Sequence, residues 1–218
     1  MRVSEIPMPA AVAARPRDER GYPVLAITPW EDDQPRFAAT GTARTYLCAV
    51  ERRCSVCGTP MAEGPVWRVV SGAEADAIAD AIDAGVAYRN AAATVEAPGH
   101  RACMLYAAVV CPYLARPTAR RGQDTVAADL VAAKGDKRGL GGAVVAFDEL
   151  EYRFTDVMLF RFAGLREFRR HDLGAEQLAE LVAAVEAETP TDAVAPAYLL
   201  ADEDAAERRF EAYRRGEL

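Results

Sequence analysis

Two pairs of metal-seeking residues constrain this chain more than any other feature: Cys54-Ser-Val-Cys57-Gly58 and, much further on, His100-Arg-Ala-Cys103. Each pair has the two-residue spacing that lets both side chains point at one ion. Three thiolates plus one imidazole form the donor set of a tetrahedral zinc site. Four protein ligands close the coordination sphere, so the spacing predicts a structural zinc ion rather than a catalytic one. Gly58 permits the turn that completes a knuckle after Cys57. A redox Cys-x-x-Cys belongs at a strand-to-helix turn, and no such unit surrounds Cys54. Five cysteines in 218 residues, an odd number, fit reduced thiols and a metal better than a disulfide framework.

The elements around these pairs predict an α+β protein. A treble-clef-like zinc lobe occupies 21–121 after an irregular leader over 1–20, and a lobe of short antiparallel strands and helices occupies 122–218. Pro7, Pro9, Pro16 and the charged run from Arg15 to Arg20 leave the leader little to bury. Residues 22–30, rich in β-formers with prolines near both ends, read as an edge strand paired through a turn at 31–35 with a strand at 36–39. Thr42 reads as the N-cap of a helix reaching residue 52, on which Cys48 is a small buried hydrophobe. Residues 66–70 form the returning strand, Ser71 caps a helix over 73–84, and Gly85 stops it. Pro98-Gly99 delivers the second ligand pair to the first turn of an almost wholly apolar helix over 100–114, where unpaired N–H groups favour thiolate. The rest reads as a helix at 125–133, a glycine-rich basic loop at 134–142, strands at 143–147, 157–162 and 165–170 with Gly164 as a turn, a helix opened by Gly174 and a last helix over 203–215.

The net charge of -7 argues against a protein that coats nucleic acid through its overall field, although a local basic patch survives that average. Arg116, Arg120, Arg121, Lys134, Lys137 and Arg138 are a candidate anion-binding group. Their competing reading is solvation and helix C-terminal charge complementarity. Gly139-Leu-Gly-Gly142 follows a helix and precedes a strand, the reverse of a dinucleotide loop, and so reads as a linker. No apolar run approaches a membrane span, and Glu5, Pro7 and Pro9 interrupt any secretory core, so no membrane partner is expected and cytoplasm is the default compartment. An HNH-type nuclease needs a hairpin histidine besides the zinc ligands. Of the two histidines one is a ligand and His171 lies in the other lobe, so that activity is not expected. Cys111 lies about 12 Å along its helix from Cys103 and reads as a packed thiol rather than a metal or haem ligand. Arg17 to Pro23 is too polar for a core and is a candidate seal between the lobes through ion pairs.

Several of these residues fall into a wider pattern: Arg17-Asp18 with Arg20-Gly21-Tyr22-Pro23, Cys54-x-x-Cys57-Gly58, Pro98-x-His100-Arg101-x-Cys103, Cys111-Pro112-Tyr113-Leu114 with Arg116-Pro117, and Leu159-Phe160-Arg161. In this the chain resembles a family of uncharacterised bacterial and phage-borne zinc-binding proteins. It departs from that pattern between Val70 and Arg89, where an alanine-rich helix stands in place of a shorter loop carrying a further cysteine. The resemblance implies zinc binding and supplies no reaction. Two functions follow from the sequence. One is a non-enzymatic, zinc-stabilised binding or adaptor module for an unknown protein or anionic partner. The alternative is an enzyme acting on a small molecule in the cleft between the lobes, with His171, Asp172 and nearby arginines as candidates.

Overall fold

The computed structural model describes residues 6–37, 39–89, 97–110, 142–171, 175–187 and 193–218. The expected helix at 125–133, almost all of the glycine-rich loop, Cys111 and the basic group from Arg116 to Arg138 lie outside them. From residue 6 on, the leader, expected to bury little, contributes to the core. Between Pro9 and Pro16, which bar a longer helix, α1 (Ala10–Ala13) inserts Val12, and Ile6 joins the same apolar cluster.

The strand expected over 22–30 is shorter and later than its composition implied. Only Trp30–Glu31 (β1) pairs, with Gln34–Pro35 (β2), across a turn in which Asp32 and Asp33 both have positive φ, 49° and 58°. That is the backbone of a tight two-residue hairpin. Pro29 and Pro35 have no N–H to extend the ladder. The preceding residues instead lie on the knuckle: Ala26 N donates to Val56 O and Ile27 N to Ser55 O.

Helix α2 (Thr42–Val50) begins at the residue expected to cap it, with Gly41 in the N-cap position, and buries Ala43, Arg44, Thr45, Leu47, Cys48 and Ala49. Its end has the paired bonds of a Schellman motif. Arg53 N donates to Cys48 O, Arg52 N donates to Ala49 O, and Arg52 takes the left-handed conformation at φ 48°. The chain therefore leaves α2 in a fixed direction, directly into Cys54.

Strand β3 (Val66–Ser71) alternates buried and half-buried residues, and Ser71 accepts a bond from Glu74 N to cap α3 (Gly72–Asp83). Helix α4 (Arg101–Val110) packs on β3 and β4. Strands β4 (Gly142–Phe154) and β5 (Met158–His171) form one long antiparallel hairpin, and β4 also pairs antiparallel with β3, giving the order β3, β4, β5. The two strands expected either side of Gly164 are thus one strand. The register slips near Ala146 and Phe147, where β5 accommodates an extra residue, and pairing continues past Gly164 to Met158. Helix α5 (Ala175–Glu186) packs on α4, with Leu181 fully buried. After a 3-10 turn at Ala197–Leu199, α6 (Glu203–Arg214) packs on α2 with Ala206 and Phe210 inward.

The class is α+β, as expected. The two lobes proposed from sequence, however, share one sheet and one core. The first strand expected in the second lobe pairs with β3 of the first, and one apolar cluster extends from Ile6 through Cys54, Cys103 and Phe147 to Leu181. A smaller cluster of Ala26, Leu47, Cys48, Leu199 and Ala206 joins the C-terminal segment to α2. No helix among the described residues is long and apolar enough to cross a membrane.

Candidate metal centre

The knuckle is built by backbone bonds that its sequence allows. Gly58 N donates to Cys54 O, Cys54 N donates to Thr59 O, and Gly58 sits at φ 79°, a conformation that favours glycine. The second pair is held against the first by the residues just before it. Ser55 N donates to Pro98 O, Ser55 Oγ donates to Ala97 O, and Gly99 exchanges both backbone bonds with Trp67 of β3. His100 then precedes α4, its carbonyl accepting from Met104 N, and Cys103 lies in the first turn.

These constraints bring Cys54, Cys57, His100 and Cys103 together, with all four donor atoms within 4.8 Å of one another. His100 Nδ1 lies 3.5 Å from Cys57 Sγ and 3.9 Å from Cys103 Sγ. Tetrahedral metal–sulfur bonds of about 2.3 Å place neighbouring donors roughly 3.5–3.8 Å apart, so the cluster is of the size that one ion requires. The far ring nitrogen, Nε2, lies 3.0 Å from Pro60 O. With its proton on Nε2 the ring donates to that carbonyl and leaves the Nδ1 lone pair for an ion, the outer-shell arrangement common to metal-bound histidines. His100 N points at Cys54 Sγ at 3.4 Å, and Thr59 Oγ1 lies 3.2 Å from Cys57 Sγ.

The three sulfurs are buried, Cys54 and Cys57 at 0% exposure and Cys103 at 2%. Burial opposes ionisation of Cys54, but hydrogen bonds from Cys103, Cys57 and His100, with the charge on His100, hold it well below the ordinary thiol range. Those bonds to Cys54 and Cys57 push Cys103 well above it. Burial disfavours a charged His100 ring, yet its bonds to Cys54 and Cys57 carry it up to about 11. Without an ion, the cluster shares protons between its sulfurs and the ring. A bound cation takes their place. Cys48 stands apart as a buried thiol outside the cluster, pushed up by burial, and no described cysteine is in a disulfide.

The other candidates raised by the sequence fare differently. His171 closes β5, and Asp172 lies outside the described residues, as do all six basic residues of the candidate anion-binding group. The Arg17 to Pro23 stretch makes no seal between lobes among the described residues. Asp18 accepts from Arg20 and Tyr22 N, and Arg17 donates to Gly21 O within the turn, while Arg17 also reaches Met8 Sδ and Arg20 lies over the Phe37 ring. The recess lined by Arg89, Glu149, Glu151, Arg161, Phe162 and Ala163 has no room for a small molecule.

Sequence reasoning missed the charged residues that fasten the C-terminal segment beside the knuckle. Arg44, fully buried, pairs with Glu203 and donates to Ala26 O and Leu200 O. Glu51 accepts from Arg53 and Arg209, both at 2.6 Å, and from Tyr198 and Tyr213. Arg15 donates to Val24 O and Leu199 O. No periodicity marks partners this distant in sequence.

Fold and site together define an α+β protein in which three buried cysteines and a half-buried histidine lie close enough to hold one metal ion. No family model, no curated protein and no solved structure matches the chain.

Proposed function

We propose that this is a zinc-stabilised binding or adaptor protein without enzymatic activity, whose metal fixes a surface offered to a protein or an anionic partner. The observation that carries the reading is the donor set itself: three buried sulfurs and one imidazole nitrogen within 4.8 Å. Thiolate and imidazole donors suit zinc and do not suit calcium or magnesium, which take oxygen ligands. Four protein ligands leave no open position for water or substrate. A knuckle plus a helix whose first turn supplies the last ligand supports a treble-clef-like description. The sequence resemblance to zinc-binding bacterial and phage proteins points the same way.

Metal analysis of protein kept reduced and free of chelator should give about one zinc per chain. A zinc content near zero would overturn the reading. The anionic-partner branch is tested by titrating a polyanion at increasing salt. Binding that weakens with salt, and that is lost when Arg116, Arg120 and Arg121 are replaced by Glu, supports it. Salt-independent binding removes that branch.

A further inference from the structure

Arg15 is 4% exposed, yet no carboxylate pairs with it among the described residues. Its Nε donates to Val24 O at 2.8 Å, one terminal nitrogen donates to Leu199 O, and Nη2 has no partner. Carbonyls solvate a guanidinium but do not neutralise it, and an uncompensated buried charge is costly. The other buried guanidinium nearby, Arg44, is neutralised by Glu203. Arg15 needs its negative charge from elsewhere.

The metal centre supplies one. Three thiolates and a neutral imidazole around a divalent ion leave one net negative charge, buried. The two segments whose carbonyls anchor Arg15 are also those that press on the knuckle. A Cβ placed on Gly58 would stand 3.1 Å from Ala195 Cβ, 3.3 Å from Ala26 Cβ and 3.4 Å from Leu199 Cβ. Burial, then the repulsion of Arg44, lower Arg15 to about 10, opposed by the charges of Cys48, Cys57 and Cys54 in that order. It therefore remains charged at neutral pH. Cys48 does not compete as the partner, because burial keeps its thiol neutral.

We propose that Arg15 is the buried counter-charge of the metal centre, a positioning residue that offsets the net charge of a divalent ion held by Cys54, Cys57, His100 and Cys103. This rests on the metal-centre reading above. Outer-shell partners of metal sites typically carry about 10- to 100-fold in affinity.

The test compares Arg15→Met and Arg15→Gln, which remove the charge, with Arg15→Lys, which keeps it. Zinc affinity is measured by competition with a chromophoric chelator, and folding by far-ultraviolet circular dichroism. The expected result is that both neutral variants bind zinc at least about tenfold more weakly and that Lys restores most of the loss. If the neutral variants fail to fold even in excess zinc while the Lys variant folds, charge is again the requirement and the proposal stands. Neutral variants that bind as tightly as the native chain would overturn it. So would a Lys variant as impaired as Met, which would assign Arg15 a purely geometric hydrogen-bonding role. Native protein that binds no zinc at all would instead remove the metal-centre reading beneath it.

Discussion

A methyl group at Gly99 would stand 2.8 Å from Cys54 Sγ and 2.5 Å from Met104 Cε. Met104 can swing aside, but the sulfur is fixed by the knuckle, so Gly99→Ala forces apart the two halves of the ligand set. We expect the substitution to cost about 1–3 kcal/mol, the range for overpacking a close contact. Zinc competition should show weaker binding, and unchanged affinity would contradict the role. The four clustered residues were legible in the sequence because metal chemistry imposes both residue type and spacing. Gly99 and Ser55 were not, since their roles arise from a tertiary approach: a sulfur against a backbone, and a hydroxyl reaching the carbonyl of Ala97. Arg15 was likewise hidden, because it opens a charged run whose other arginines, Arg17 and Arg20, are exposed while it turns inward.

Between elements, Glu51 is the fastening. It caps the end of α2, is 8% exposed at the side chain, and receives Arg53, Arg209 and Tyr198. Burial alone would raise its pKa, but the bonds from Tyr198, Arg209 and Arg53 lower it below its ordinary value of 4.5. A carboxylate whose folded pKa is depressed contributes stability fully above the unfolded value and loses it as pH falls through the folded one. Thermal unfolding should therefore show that Glu51→Gln costs about 1–3 kcal/mol at neutral pH, a gap that narrows below about pH 4.5. A gap independent of pH would mean that packing, not charge, joins α6 to α2. Helices α2, α3 and α6 were legible because caps and apolar stripes are local. The strand at 22–30 was misread because its β-forming residues lie flat on the knuckle, and β5 was read as two because a glycine and an extra residue imitate a turn.

On the scale of the whole molecule, one core joins α1 to α5 and the three-stranded sheet to the candidate metal centre, and a second cluster fastens α6 to α2. Structural zinc contributes about 10–16 kcal/mol in small zinc-dependent folds, comparable to the roughly 5–15 kcal/mol total of an ordinary domain. Cys103→Ser should therefore unfold the C-terminal elements together with the knuckle. The two tryptophans report the two regions: Trp67 bonds to Gly99 beside the ligands, and Trp30 donates its ring N–H to Leu200 O. Fluorescence of Trp30→Phe and Trp67→Phe proteins should change at the same chelator concentration. Two separate transitions would show independent lobes. The pairing of β3 with β4 also sets an order of events. During synthesis all four ligands leave the ribosome before Gly142, the first residue of β4. The ion can thus be captured while β3 still presents a bare edge, the kind of exposed strand that draws stray chains together. An ion bound this early would hold β3 through Gly99 and Trp67 until its neighbour is made. Zinc-starved cells should accumulate this protein first as aggregates of nascent chains rather than as unfolded full-length molecules.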